Sequence, residues 1–301
     1  MYTRKSFTIV SFATITLLIL VITSKRLGAW SSLNEYYYRP DGRKSYYAPQ
    51  VPISVGNDTD SADSADTQTP SCNGYPQADN ILVIMKTGAS ESFSRVPTQL
   101  VTVLKCIPNF LIFSDMEQEI GGYKIHDSLA TVLDEAKEGN SDFDLYRRQQ
   151  ACIVDQENCN NLGDPSSEGW NLDKYKNIHI AEKAYQMRPD FDWYVFIDAD
   201  TYVLWPNLVE WLGKLKPTRK LYMGSVSLIS DFSFGHGGSG YVLSQAAMKA
   251  SVGKHKGLAN EYDVQAKKEC CGDYLFALAL QSSAKLQVEQ VVSLLPPLAA
   301  Y

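Results

Sequence analysis

An apolar run that stops at two carboxylates constrains this chain more than any other stretch. Trp193-Tyr194-Val195-Phe196-Ile197 is aromatic and β-branched throughout, the pattern of a strand buried on both faces, and Asp198-Ala199-Asp200 closes it. Acids at the end of a buried strand are desolvated unless a cation or strong donors meet them there. In extended backbone, residues i and i+2 point to one side, so Asp198 and Asp200 can face one ligand. A hard divalent cation suits such an oxygen pair, and Mg²⁺ or Mn²⁺ often brings a diphosphate as co-ligand. The spacing alone is unspecific, because Asp58-Thr59-Asp60, Asp142-Phe143-Asp144 and Asp190-Phe191-Asp192 repeat it without a preceding apolar strand. A plain strand-end turn with Asx capping is the bland alternative.

A second apolar run, Ile81-Leu82-Val83-Ile84-Met85, ends in Lys86-Thr87-Gly88. A helix is expected from Pro97 to Lys105, and then a second strand, Asn109 to Asp115, again closing on an acid. Strand, helix, strand in this order predicts an α/β fold with a mostly parallel central sheet. Ligands of such sheets bind beyond the carboxyl ends of the strands. Lys86, Asp115, Asp198 and Asp200 are all expected at those ends. The spacing of Leu172, Tyr175, Ile178, Ala181 and Tyr185 predicts a helix that closes at Arg188-Pro189, after a loop over 155–169. Pro206 suits the first turn of a short helix reaching Leu215.

Two further segments carry chemistry. In Gly235-His236-Gly237-Gly238-Ser239-Gly240, four glycines in six positions let backbone approach a ligand closely. A simple hinge is the alternative. Asp273, in Cys270-Cys271-Gly272-Asp273, is either the N-terminal acid of a helix or a general base.

The chain divides into 1–5, a cytoplasmic tail; 6–24, a transmembrane anchor; 25–78, a disordered stem; and 79–301, the folded domain. Ser6 to Ser24 holds no charged residue and is just long enough to span a bilayer. Arg4 and Lys5 before it favour a cytoplasmic N-terminus. A cleavable signal sequence ending near Leu27-Gly28-Ala29 is the rival. The sequon Asn57-Asp58-Thr59 and six cysteines fit a lumenal body in an oxidising compartment. Cys270 and Cys271 are neighbours and are expected each to pair elsewhere, while Cys152 and Cys159 can close a loop. No paired C-x-x-C spacing supports zinc. With a net charge of −6 and no basic stripe, nucleic acid is not an expected partner.

Trp193 to Val203, His236 to Tyr241 and Gly272-Asp273, in this order, resemble the fringe-like and β-1,3-galactosyltransferase-like enzymes of glycosyltransferase family 31. The first segment is similar to that family's acidic strand end, the second to its Gly-Gly-Ala-Gly-Tyr/Phe loop, and the third to its acidic pair before a helix. Lys86-Thr87 and Ser114-Asp115 match its nucleotide-side strand ends more loosely. The resemblance covers roughly residues 80 to 280. It implies a GT-A-type nucleotide-sugar-binding domain in a single-pass type II protein, the domain lumenal in Golgi or ER. Asp198 and Asp200 would hold Mn²⁺ (or Mg²⁺), with Asp198 also able to contact ribose. Lys86, Thr87, Asp115, Gly237, Gly238 and Gly240 would line a UDP-sugar donor, and Asp273 would be the catalytic base.

The activity implied is an inverting transfer of a hexose or N-acetylhexosamine to a glycan or glycoprotein hydroxyl in β-1,3-type linkage. Two departures stand out. Ala199 replaces the family's middle aspartate. The family's downstream histidine ligand has no counterpart, since no histidine follows His255. Either water completes the metal shell, or the domain is truncated and impaired, acting as partner or chaperone of an active transferase. His126, His179, His236 and His255 are expected on the surface or in loops.

Overall fold

The computed structural model describes Cys72, residues 74–151 and residues 163–291. The expected tail, anchor and sequon, nearly all of the stem, and the Cys152 and Cys159 pair lie outside the described residues. Among the described residues, no helix is long and apolar enough to cross a membrane.

The fold is α/β. Its centre is a mixed, mostly parallel sheet of eight strands in the order β10-β6-β9-β5-β1-β2-β4-β3. The strands are β1 (Ile81–Lys86), β2 (Phe110–Ser114), β3 (Gln118–Ile120), β4 (Tyr123–Asp127), β5 (Trp193–Asp198), β6 (Tyr222–Gly224), β9 (Tyr241–Ser244) and β10 (Glu289–Gln290). β1 pairs in parallel with both β2 and β5, and β9 runs antiparallel between β5 and β6. A separate hairpin, β7 (Val226–Ile229) with β8 (Phe232–Gly235), leads into the glycine-rich loop. This arrangement is consistent with a GT-A-like domain.

The two apolar runs are continuous because the middle strands are covered on both sides. On one face Leu82, Ile84, Tyr194, Phe196 and Leu243 join one buried cluster; on the other Ile81, Val83, Met85, Trp193, Val195 and Ile197 join a second. Alternation along each strand sends successive side chains to opposite layers. The principal helices are α1 (Ala89–Val101), α2 (Asp144–Ala151), α3 (Pro165–Asp173), α4 (Lys176–Met187), α5 (Trp205–Leu212), α6 (Leu258–Ala266) and α7 (Gly272–Ala284). α4 and α7 contribute Ile178, Ala181, Phe276 and Leu280 to the first cluster, and α5 adds Trp205, Leu208 and Leu212 to the second.

Several elements differ from their expected positions. α1 starts at Ala89 rather than Pro97, because the buried Asp115 carboxylate accepts the Ala89 N–H and anchors the helix N-terminus. Pro97 is tolerated inside it on an exposed face, beside the exposed Phe93 whose carbonyl it leaves without a helical donor. The expected loop over 155–169 gives way from Pro165 onward to α3, which Asp164 caps by accepting the Ser166 N–H at 3.2 Å. Cys270 and Cys271 are bonded to each other, and Cys72 pairs with Cys106. The expectation that Cys270 and Cys271 each pair elsewhere is corrected: the two neighbours bond to each other just before α7.

Candidate active site

Strand register builds the site. Pairing of β1 with β5 sets Lys86 opposite Asp198, so base and acid emerge together at the carboxyl edge of the sheet. Lys86 Nζ lies 3.4 Å from Asp198 Oδ1 and 2.6 Å from Asp173 Oδ2, at the end of α3. Burial alone would lower the Lys86 pKa, yet Asp173 and Asp198 hold it above the ordinary lysine range. Burial would likewise raise Asp173, but Lys86 and Lys176 keep it below the usual carboxylate value. For Asp198 the balance goes the other way. Burial pushes its carboxyl up, Lys86 opposes, and Asp173 and Asp200 add repulsion.

Beyond β5 the chain turns on Thr201. Its hydroxyl accepts the Asp198 N–H at 3.2 Å and donates to the Gly238 carbonyl at 2.9 Å, tying the acid turn to the glycine-rich loop. Ala199 is buried with the second apolar cluster, where a carboxylate would be stranded, and the exposed Asp200 follows it.

The same loop grips the third acid. Asp273, in the first turn of α7, accepts the Gly237 N–H through Oδ2 and the Tyr274 N–H through Oδ1, both at 2.8 Å. A Cβ at Gly237 would stand 3.4 Å from Asp273 Oδ2 and 3.8 Å from Asp198 Oδ2. Asp198 and Asp273 therefore flank one glycine.

These groups open on a cleft of about 500 Å³. Lys86, Thr87, Asp198, Asp200, Gly237, Gly238 and Asp273 all line it, together with Asp173, Trp170, His236 and the Cys270–Cys271 pair. Two expected site residues stand elsewhere. Asp115 is fully buried against α1, with Lys176 Nζ 3.9 Å away, and does not line the cleft. Gly240 (φ +77°) is a backbone requirement rather than a cleft surface: a Cβ there would meet the Phe196 carbonyl at 3.2 Å.

Sequence reasoning missed Asp173, whose partner is 87 positions away and leaves no local signal. It also put every histidine on the surface or in loops, and His179 corrects this. Buried in α4, His179 bridges Asp263 (2.7 Å) and Thr131 (2.9 Å). His236 does lie in a loop, but that loop faces the cleft. Its Nδ1 lies 3.2 Å from the Ser239 N and 3.1 Å from the Ser239 hydroxyl, which fixes the ring over the start of the glycine-rich loop. Among the described residues, no three His, Cys, Asp or Glu side chains converge as a metal cluster.

A comparison with protein families places this geometry. The profile described as Fringe-like matches residues 77–294. The chain belongs to the Fringe-like family. Membership implies a glycosyltransferase, with a sugar donor and an acceptor as its substrates; enzymes of this family typically use nucleotide sugars.

Proposed function

We propose that this Fringe-like protein is a metal-dependent inverting hexosyltransferase. It would move a hexose or N-acetylhexosamine from a UDP-sugar to a glycan hydroxyl, forming a β-1,3-type linkage. The observation that carries the reading is the pair of carboxylates on either side of Gly237. Asp198, with Asp200, serves the leaving diphosphate, and Asp273 serves the attacking hydroxyl. An inverting transfer needs one carboxylate to take the acceptor proton as oxygen attacks the anomeric carbon. Asp273 is oriented for this by two backbone N–H groups and keeps lone pairs on both oxygens for the acceptor.

The residues fit a divalent cation by charge. Five carboxylates (Glu91, Asp173, Asp198, Asp200 and Asp273) line the cleft against four cationic side chains (Lys86, Arg95, Lys174 and Lys176), and Lys86 is already paired with Asp173, so a nucleoside diphosphate would enter a site with no surplus of positive charge. Asp198 and Asp200 would hold Mn²⁺ or Mg²⁺ through oxygen, which suits hard cations. When bound, the ion offsets negative charge on the departing diphosphate. Lys86 then holds Asp198 in place from β1, and the side-chain-free Gly237 and Gly238 leave room for the donor sugar.

Calorimetry tests the reading. UDP should bind in the presence of Mn²⁺ and lose most affinity in Asp200→Ala; unchanged binding in that variant would remove the assignment at its centre. Turnover across UDP-sugars, lost in Asp273→Asn, separates an active enzyme from a binding-only relative. We also propose a lumenal placement behind a Ser6–Ser24 anchor. The Cys72–Cys106 and Cys270–Cys271 bonds support it, since disulfides persist in oxidising compartments. A glycosidase-sensitive mass shift that Asn57→Gln abolishes would bear it out, and a protein lacking that shift would not.

A further inference from the structure

We propose that Trp170 is the platform on which the acceptor saccharide is held, an assignment that rests on the transferase reading of the cleft. Trp170 is 70% exposed although its indole is among the largest apolar surfaces of the domain, and it lines the cleft. An aromatic ring kept in water at a cleft wall forgoes favourable burial unless something covers it. The helix beneath it is fixed at both ends. Arg148 grips Glu168 through two bonds of 3.0 and 2.6 Å, and Asp173 is paired with Lys86. A ring presented from so constrained a helix gives up little freedom when a ligand arrives.

Its position selects the acceptor side. Trp170 and Asp173 are three residues apart on α3, hence neighbours on one helical face. The segment carrying Asp273 packs on the end of that helix: a Cβ at Gly272 would fall 2.8 Å from the Asp173 carbonyl. The indole thus stands one turn from the point where the base-bearing loop is seated. The uncharged Cys270–Cys271 disulfide lines the same cleft just before Gly272. At the strand edge the lining carries Lys86, Asp198 and Asp200, which suit a diphosphate and its cation. A pyranose has one face of C–H groups and a rim of hydroxyls. The C–H face, weakly positive, suits the negative face of an indole, and the rim hydroxyls can then reach Asp273.

Tryptophan fluorescence reads this without turnover. Trp193 and Trp205 are buried, Trp211 is partly exposed and Trp30 lies outside the described residues, so only the part of the acrylamide quenching that disappears in Trp170→Phe is assigned to Trp170. The probes are methyl β-galactoside, methyl β-glucoside and methyl α-mannoside, added to the full chain with UDP and Mn²⁺. At least one glycoside should shield Trp170 by twofold or more, whereas UDP with Mn²⁺ should not. Trp170→Ala should raise the KM for that glycoside roughly tenfold, about 1.4 kcal/mol, with UDP affinity unchanged and Trp170→Phe restoring most of the loss. Shielding by UDP itself, or an equal fall in UDP affinity, would assign the ring to the nucleotide base and overturn the proposal. Normal UDP binding with no glycoside shielding Trp170 would overturn it as well. A protein that binds no UDP at all loses the transferase reading first, and this inference with it.

Discussion

Replacing Asp173 by Asn keeps the shape of the side chain and removes half of the ion pair beneath the cleft. Lys86 would lose its 2.6 Å partner but keep Asp198 at 3.4 Å, so no ammonium is left unpaired. A hydrogen bond to a charged group contributes about 1.5–3 kcal/mol. The Asp173 side chain is 35% exposed, and solvent screening brings the expected loss down to about 1–2 kcal/mol. For a domain of this size, each kcal/mol shifts Tm by about 2–4 °C. Thermal and urea unfolding of Asp173→Asn, Lys86→Met and the double variant isolate the pair. The two changes should couple by about 1 kcal/mol, where independent sites add within about 0.5 kcal/mol. Additivity in that cycle would refute the claim that Asp173 restrains Lys86. A second readout follows from the geometry: freed from Asp173, Lys86 settles on Asp198 and competes with the cation. Half-saturation of UDP binding should then need more Mn²⁺.

Gly237→Ala fills the gap between Asp273 and Asp198 at ordinary contact distance, so stability should change by less than about 0.5 kcal/mol while UDP-sugar turnover falls at least about tenfold. A variant that turns over normally would show that the gap is not used. Burial draws the Asp263 pKa upward, but His179, Asn260 and the Leu133 N–H together hold it below the usual value. Because the folded value is depressed, this contribution is complete above about pH 4 and is lost as pH falls through the folded value. Urea midpoints of the parent and Asp263→Asn should differ at pH 7 and converge below about pH 4; a constant gap would contradict the assignment. Mass spectrometry of an unreduced digest should return Cys270 and Cys271 within one peptide two hydrogen atoms lighter than its reduced form, and Cys72 linked to Cys106.

What the sequence revealed, and what it concealed, divides along a physical line. β1 and β5 could be read because burial on both faces writes an unbroken apolar run, and the carboxyl-edge rule then placed Lys86 and Asp198 at one rim. The glycine cluster was legible because backbone approach demands glycine itself. Asp173 was not, since a partly buried ion pair between residues 86 and 173 has no periodicity to betray it. The start of α1 was misplaced for a related reason: Pro97 looked like a first-turn residue, whereas the true anchor is a carboxylate 26 positions downstream. α3 did carry a signal in Asp164-Pro165, a capping acid before proline, masked by the polar composition around it. Asp115 ends its strand as expected, yet an acid at a strand end can equally turn inward to hold a helix.

The arrangement also explains why so few residues of the loop need side chains. Gly237 donates its N–H to Asp273, while Gly238 accepts from Thr201 through its carbonyl. Both bonds use backbone atoms, so one short loop couples the acid turn after β5 to the first turn of α7. A side chain at Gly237 would occupy the space between the two acids, and at Gly238 a Cβ would stand 3.1 Å from the His236 ring and 4.0 Å from Asp198 Oδ2. Reactive groups carried on a strand end and a helix start, two rigid elements, are thus held in register by a connector that takes up none of the cleft. Precision comes from the sheet and the helix, and open volume comes from the glycines. Enlarging the loop side chains should therefore impair ligand entry well before it loosens the fold, whereas cutting the Thr201 hydroxyl should separate the acid turn from the loop without narrowing the cleft.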